Sequence, residues 1–88
     1  MYYVYILYSP SHDRYYVGQT SDLSHRLSRH NAGLVTSTKG YVPWELVYYE
    51  SYSSRSESMS RERRIKRRKS RSYIESLIAG KDSGERSE

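Results

Sequence analysis

Residues 2–18 read YYVYILYSPSHDRYYVG, and this stretch decides the fold. Tyr2–Tyr8 is wholly apolar or aromatic and rich in strand formers, which makes it a buried strand. Ser9–Arg14, SPSHDR, has the Pro and Asp of a turn, and Arg14–Gly18, RYYVG, follows as a second short strand. So short a link makes the two antiparallel neighbours, a hairpin.

Outward from the hairpin, Ser21 or Asp22 caps a helix running to about Asn31. Leu23, Leu27 and Asn31 share one stripe of it, Arg26 and His30 sit four apart on the next, and Gly33 supplies the stop. Leu34–Pro43 is rich in Thr, Ser and Gly without a period and reads as a loop. Trp44–Tyr52, WELVYYESY, is a third strand that pairs with the hairpin. Ser53, Ser54 or Ser56 caps a second helix over 55–69, with Met59 and Ile65 as its scarce apolar contacts. A third helix over 70–79 sets Tyr73, Ile74, Leu77 and Ile78 at helical spacing, ends at Gly80 and can lie over the sheet as a lid. Residues 81–88, KDSGERSE, have nothing to bury and are expected to be disordered. The expectation is a single α/β (α+β) domain over 1–80, with a three-stranded antiparallel sheet flanked by helices in the order β-β-α-β-α-α.

Composition limits what such a domain can do. A chain of 88 residues gives one small core, and the absence of cysteine removes disulfides, thiol chemistry, iron-sulfur clusters and Cys-type zinc sites. Any catalysis must use oxygen and nitrogen groups. No window approaches the roughly 18 to 20 apolar residues of a membrane helix, and Tyr2–Tyr8 has neither a basic flank nor a small-residue cleavage site. The reading is a cytoplasmic protein with no membrane partner, a monomer or weak homodimer.

The formal net charge of +5 is unevenly placed. Residues 1–54 are neutral, residues 55–71 set nine Lys and Arg against Glu57 and Glu62 for a net +7, and residues 72–88 carry a net −2. A basic run can be no more than a solvated helix face, or can face an acidic subunit. Its density favours a third reading: like charges four apart, Arg63 with Arg67 and Arg64 with Arg68, repel one another and are relieved by phosphates. Sequence-independent nucleic-acid contact through Arg63, Arg64, Lys66, Arg67, Arg68, Lys69 and Arg71 is the leading inference.

Eleven tyrosines, one tryptophan and no phenylalanine make up the aromatic content. The polar candidates for chemistry are Tyr5 and Tyr16 in the two strands, Arg26 and His30 on one helix, and Glu62 within the basic helix. Taken singly, each has a plain alternative: a strand tyrosine is usually core, Arg26 and His30 can be surface groups, and Glu62 can pair with its arginine neighbours. Taken together they fit hydrolysis of a phosphodiester, which needs a cation at the phosphate, a group that removes a proton from water, and positive charge for the developing oxyanions. No segment gathers several carboxylates, so one hard divalent ion such as Mg²⁺ fits better than a two-metal site.

At these residues the chain resembles the GIY-YIG nuclease domain, in particular its small stand-alone members, related to the catalytic domain of the excision nuclease. The half-motifs stand as Tyr3-Val4-Tyr5 and Tyr16-Val17-Gly18. The similarity runs on through Gln19-Thr20, Asp22-Leu23, Arg26-Leu27, His30-Asn31, Gly33, Pro43-Trp44, Leu46-Val47-Tyr48 and Glu62 with Ile65-Lys66, from about Tyr2 to Ile78. The resemblance implies a DNA endonuclease, structure-selective or weakly specific, acting on double-stranded or branched DNA, with RNA also open. It implies Tyr5 as general base or water-positioning hydroxyl, Tyr16 as a second hydroxyl against the phosphate, Arg26 as phosphate clamp, and Glu62 as ligand to one Mg²⁺ or Mn²⁺. His30 holds the phosphate or orients Tyr5, and cleavage leaves 5′-phosphate and 3′-hydroxyl ends. Tyr3 replaces the glycine of the first half-motif, and Gln19 stands where the excision-nuclease branch has a lysine, which weakens one phosphate contact. An unshifted tyrosine has a pKa of about 10, so a basic Tyr5 requires cations or metal-bound water beside it. A nucleic-acid-binding protein or accessory subunit that keeps the fold without cleavage is the alternative.

Overall fold

Val4, Tyr5, Ile6 and Leu7 are consecutive and each at most 2% exposed, because the strand that holds them is covered on both faces. The structure, a computed structural model, describes residues 1–80, so the expected tail over 81–88 lies outside the described residues. Strand β1 (Tyr2–Ser9) is the middle of a three-stranded sheet, flanked antiparallel by β2 (Arg14–Thr20) and β3 (Glu45–Tyr52). Helix α1 (Leu23–Asn31) joins β2 to β3, and α2 (Arg55–Arg68) and α3 (Arg71–Ile78) follow. The expected fold class and element order hold.

Alternation along β1 divides the core between the two faces. Val4 and Ile6 pack with Val17, Ile65, Tyr73 and Leu77, on the side of α2 and α3. Tyr5 and Leu7 pack with Trp44, Tyr16, Leu23 and Leu27, on the side of α1. Burial of a side chain such as Ile6 or Leu7 contributes about 1.5–3 kcal/mol.

The helix starts settle on one cap each. Asp22 accepts from the His25 amide, Ser54 from the Glu57 amide and Ser70 from the Tyr73 amide, at 3.1, 3.2 and 3.1 Å. The 34–43 segment is more ordered than its composition suggests and contains a 3-10 turn at Lys39–Tyr41. Two bonds from Asn31 hold its far end: Nδ2 donates to the Trp44 carbonyl at 3.0 Å, and the Trp44 amide donates to Oδ1 at 2.6 Å. The Trp44 indole N–H donates to the Thr38 carbonyl at 3.0 Å.

Helix α2 buries a polar stripe beside the expected Ile65. Its buried residues are Ser58, Arg61 and Ile65, while Met59 is only half-buried. Arg61, counted in the net charge of 55–71 but not among the residues expected to touch nucleic acid, is taken up inside. Its Nε and Nη2 donate to Glu50 at 2.9 and 3.0 Å, and its Nη1 donates to the Tyr73 hydroxyl at 3.1 Å. Glu50, in β3, also accepts from the hydroxyls of Tyr48 and Tyr52. Among the described residues, no helix is long and apolar enough to cross a membrane.

Gly18 pairs directly across from Tyr5 and leaves room for its ring. A Cβ at residue 18 would lie 2.5 Å from the Tyr5 hydroxyl oxygen, 2.7 Å from its Cζ and 3.0 Å from Cε2 of Tyr16. Close approach of the Tyr5 ring is what this position requires of a glycine. Both rings are wedged between the sheet and α1, so Gly18→Ala is expected to cost about 1–3 kcal/mol by overpacking. A urea titration at constant m-value measures it, and an unchanged midpoint would count against the contact.

Candidate functional site

The register that seats Tyr5 over Gly18 carries its hydroxyl to β2 and to the buried His30 of α1. Tyr5 Oη and His30 Nε2 are 2.9 Å apart, and His30 Nδ1 lies 2.7 Å from Thr38 Oγ1. Thr38 Oγ1 also lies 3.4 Å from the Val35 carbonyl, to which it can donate while it accepts from His30. In the tautomer that this arrangement accommodates, Nδ1 carries the proton and Nε2 accepts from the Tyr5 hydroxyl.

The electrostatics agree. Burial pushes the Tyr5 hydroxyl well above the ordinary phenol range; Tyr16 and Glu62 push the same way, and Arg26 opposes them. Burial, then the positive charges of Arg26 and Arg29, lower the pKa of His30. A protonated phenol thus faces a neutral imidazole. The cation that sequence reading asked for is present in Arg26, but burial outweighs it, and Tyr5 is no ready phenolate. Thr38 was not legible as part of this chain of bonds: in TSTKG it is one small hydroxyl among several.

The depressed His30 has a consequence for pH. Protonation of His30 is harder folded than unfolded, so its contribution to stability is fully present above the unfolded value of about 6.5 and is lost as pH falls from there to the folded value. In an NMR titration the His30 ring is expected to titrate below about 6.5, the value of a free imidazole; a midpoint at or above it would remove the neutral acceptor.

Tyr16 stands beside this pair, its ring centre 6.3 Å from that of Tyr5 and 5.0 Å from that of His30. Glu62 arrives from the opposite layer because α2 runs along the β2 edge. Ser58 Oγ donates to Gln19 Oε1 at 3.4 Å, and Lys66 Nζ lies 5.7 Å from the Tyr16 ring centre. Glu62 is four residues from each and shares their stripe, between Gln19 and Tyr16. Its side chain is 20% exposed and pairs with Lys66 Nζ at 2.9 Å. Arg26 is half-buried and makes no ion pair among the described residues.

Tyr5, Tyr16, Arg26, His30 and Glu62 are thus gathered at one place, with Gln19 and Lys66 at its margin. The remaining basic residues spread outward. Arg63, Arg64, Arg67 and Lys69 are exposed, and Arg68 stacks on the Tyr73 ring at 3.8 Å. Arg71 pairs with Asp13 and Glu75, away from the cluster.

The donor set decides which metal these residues suit. Among the described residues there is no group of three or more His, Cys, Asp or Glu side chains that could hold an ion. Glu62 is a single partly exposed carboxylate, which fits a hard, water-rich ion of the Mg²⁺ kind completed by phosphate oxygens, and does not fit a closed zinc site.

The hairpin, the central strand buried on both faces and the gathered tyrosines, arginine, histidine and glutamate define a small nuclease-type fold. Residues 1–74 match the GIY-YIG catalytic domain, and the chain belongs to that family. Within it the chain lies in the UPF0213 branch. It is 43% identical over 67 residues to a UPF0213 protein of Halobacterium salinarum, covering 75% of this chain and 86% of that one. It is 43% identical over 65 residues to a UPF0213 protein of Streptococcus pyogenes serotype M5, covering 73% and 71%. The solution NMR structure of the UPF0213 protein of Bacillus halodurans is similar at a TM-score of 0.57 and 34% identity, covering 92% of this chain and 86% of that chain.

Proposed function

We propose that the protein binds nucleic acid across the β2 edge and the exposed face of α2, and that the gathered cluster hydrolyses a DNA phosphodiester there with one Mg²⁺ or Mn²⁺. One observation carries this reading: Tyr5, Tyr16, Arg26, His30 and Glu62 come from four elements on both sides of the sheet and meet at one edge.

Glu62 would hold the ion once Lys66 gives way, and a bound divalent ion would polarise the phosphate and stabilise the leaving oxygen. The Arg26 guanidinium neutralises charge on the non-bridging oxygens, and the Tyr16 hydroxyl donates to one of them. Tyr5 takes a proton from the attacking water as its own passes to His30 Nε2. Charge then rests on an imidazolium held at Nδ1 by Thr38, and Tyr5 never has to stand as a free phenolate. In this way a phenol whose ionisation is suppressed still serves as a base. The leaving oxygen takes a proton from solvent water and becomes the 3′-hydroxyl, the phosphate remains on the 5′ end, and the imidazolium returns its proton to solvent through Tyr5.

A specific observation favours the second reading, binding without hydrolysis. The one carboxylate of the cluster is engaged by Lys66, and no three metal-ligating side chains gather among the described residues. The two readings part in one assay. Single-stranded, duplex, flap and branched DNAs are incubated with Mg²⁺ and with EDTA, and binding is measured across a salt series. Hydrolysis predicts cleavage that stops on chelation, while binding persists. Uncut DNA with intact binding would establish the second reading.

Both readings predict a log-log salt slope of about −0.9 per duplex phosphate contacted. Replacing Arg63, Arg64 and Arg67 by Gln is expected to flatten it by about one for each phosphate no longer held. A slope that does not move would place the phosphates elsewhere.

A further inference from the structure

The neutral balance of residues 1–54 conceals a basic stretch: from Leu23 to Trp44 the chain carries Arg26, Arg29 and Lys39 and no Asp or Glu. The fold gathers these three along one flank of α1. At about 100° per residue, Arg26 and Arg29 lie about 60° apart around the helix, whereas Asn31 lies about 140° from the first and about 160° from the second. Asn31 is tied to the Trp44 backbone, where β3 begins, so the arginine flank turns the other way, to the β2 side. Both arginines bring their charge to bear on His30. Lys39 joins them from the 3-10 turn. It follows Thr38, the partner of His30, and a Cβ on Gly33, just beyond the end of α1, would lie 3.9 Å from the Lys39 Cβ.

Arg29 and Lys39 are exposed, and neither they nor Arg26 make an ion pair among the described residues. The acid nearest in sequence, Asp22, caps the far end of α1 by accepting from the His25 amide at 3.1 Å. It stands roughly 10 Å along the axis from Arg29, about one Debye length at 0.1 M salt, and does little to neutralise it. The helix dipole favours a cation in the last turn by about 0.3–1 kcal/mol. That accounts for a cation at Arg29, but not for an acid-free flank that runs back to Arg26 in the cluster.

The exposed Arg63, Arg64 and Arg67 of α2 lie on the other layer of the sheet, with the cluster between the two basic surfaces at the β2 edge. From Arg26 to Arg29 the helix rises about 4.5 Å, comparable with the roughly 3.4 Å per phosphate along one DNA strand. A strand with one phosphate at Arg26 therefore presents its next to Arg29.

We propose that this flank of α1, with Arg29 and Lys39, is a second phosphate-binding surface, so that one DNA passes over the β2 edge held on both sides of the cluster, by α2 and by α1. The inference rests on the nucleic-acid reading above and extends it to the layer that reading leaves out.

The test is run in EDTA, so no cleavage enters it. Binding of a labelled duplex is followed by fluorescence anisotropy across a salt series. The proteins compared are the parent, the neutral pair Arg29→Gln with Lys39→Gln, and the charge-keeping pair Arg29→Lys with Lys39→Arg. Losing two phosphate contacts should flatten the log-log slope by about 1.8, so the parent's advantage over the neutral pair should shrink about twelvefold between about 50 and 200 mM salt. The charge-keeping pair should match the parent, and urea midpoints should be equal in all three, because both side chains are exposed and unpaired. Combined with Gln at Arg63, Arg64 and Arg67, the neutral pair should flatten the slope by the sum of the two losses, since the surfaces stand on opposite layers. A slope unmoved by the neutral pair overturns this surface, as does an equal loss in the charge-keeping pair. If the α2 changes flatten the slope and the α1 changes do not, this inference falls alone; a parent protein without salt-dependent binding takes the nucleic-acid reading with it.

Discussion

Replacing Glu50 by alanine is expected to remove about 3–5 kcal/mol of stability, the cost of leaving one member of a buried ion pair without the other. Native domains hold only about 5–15 kcal/mol in all, so this variant should populate unfolded chain at room temperature. Glu50 is 8% exposed and Arg61 6%, and the carboxylate answers both guanidinium donors and two tyrosine hydroxyls. Its removal strands a guanidinium under α2, beside a Tyr73 hydroxyl that cannot accept its charge. Glu50→Ala and Arg61→Ala should each be severe, while the joint change Glu50→Met with Arg61→Met, which removes both charges and refills the space, should be much milder. Urea unfolding of the three variants checks this. If the double change were as costly as the single ones added together, the pair would not be the unit described.

The same pair sets the acid limit of the fold. Burial alone would raise the Glu50 carboxyl, but hydrogen bonds from Arg61, Tyr48 and Tyr52 outweigh it and hold the group below the ordinary carboxylate range. A depressed carboxylate contributes stability that is fully present above its unfolded value of about 4.3 and is lost as pH falls toward the folded one. With His30 losing its contribution from about 6.5 downward, the protein should weaken in two steps as it is acidified, the second absent from Glu50→Gln.

The frame of the fold was legible because its signals are local. An unbroken apolar run, a Pro- and Asp-containing link and three Ser or Asp helix starts each act within a few residues, and each stands where its chemistry requires. What stayed hidden depends on partners distant in sequence. Arg61 looks like every other arginine of a helix that is basic nearly all round. It is set apart only because the Ser58–Arg61–Ile65 stripe meets the sheet where β3 presents Glu50. Asn31 continued the Leu23–Leu27 stripe, yet it serves the backbone of Trp44, thirteen residues on. Of the candidate site, the residue types were readable and their meeting was not. That Glu62 comes within the electrostatic reach of Tyr5 depends on the crossing of α2 over the β2 edge, which no spacing in the chain encodes.

That meeting makes Glu62 the sharpest test of the hydrolytic reading. Glu62→Gln is expected to lower cleavage by about three decades, the several kcal/mol that a metal supplies to a developing oxyanion. DNA affinity should hold or rise, because the change also releases Lys66 from its carboxylate partner at the edge of the cluster. The Glu62 side chain is 20% exposed and pairs with Lys66, so a urea midpoint measured on the same variant separates lost activity from lost stability. Tyr5→Phe should cost about two to four decades as the loss of a proton carrier, and it leaves His30 Nε2 without its donor. Because metal and proton transfer serve one transition state, the two losses should not add, and the double variant should cut little worse than the poorer single one. Rates and filter-binding affinities for the three variants decide the matter. Cleavage that survives Glu62→Gln at full rate would assign the observed hydrolysis to something other than this cluster, and the domain would stand as a nucleic-acid-binding member of its family.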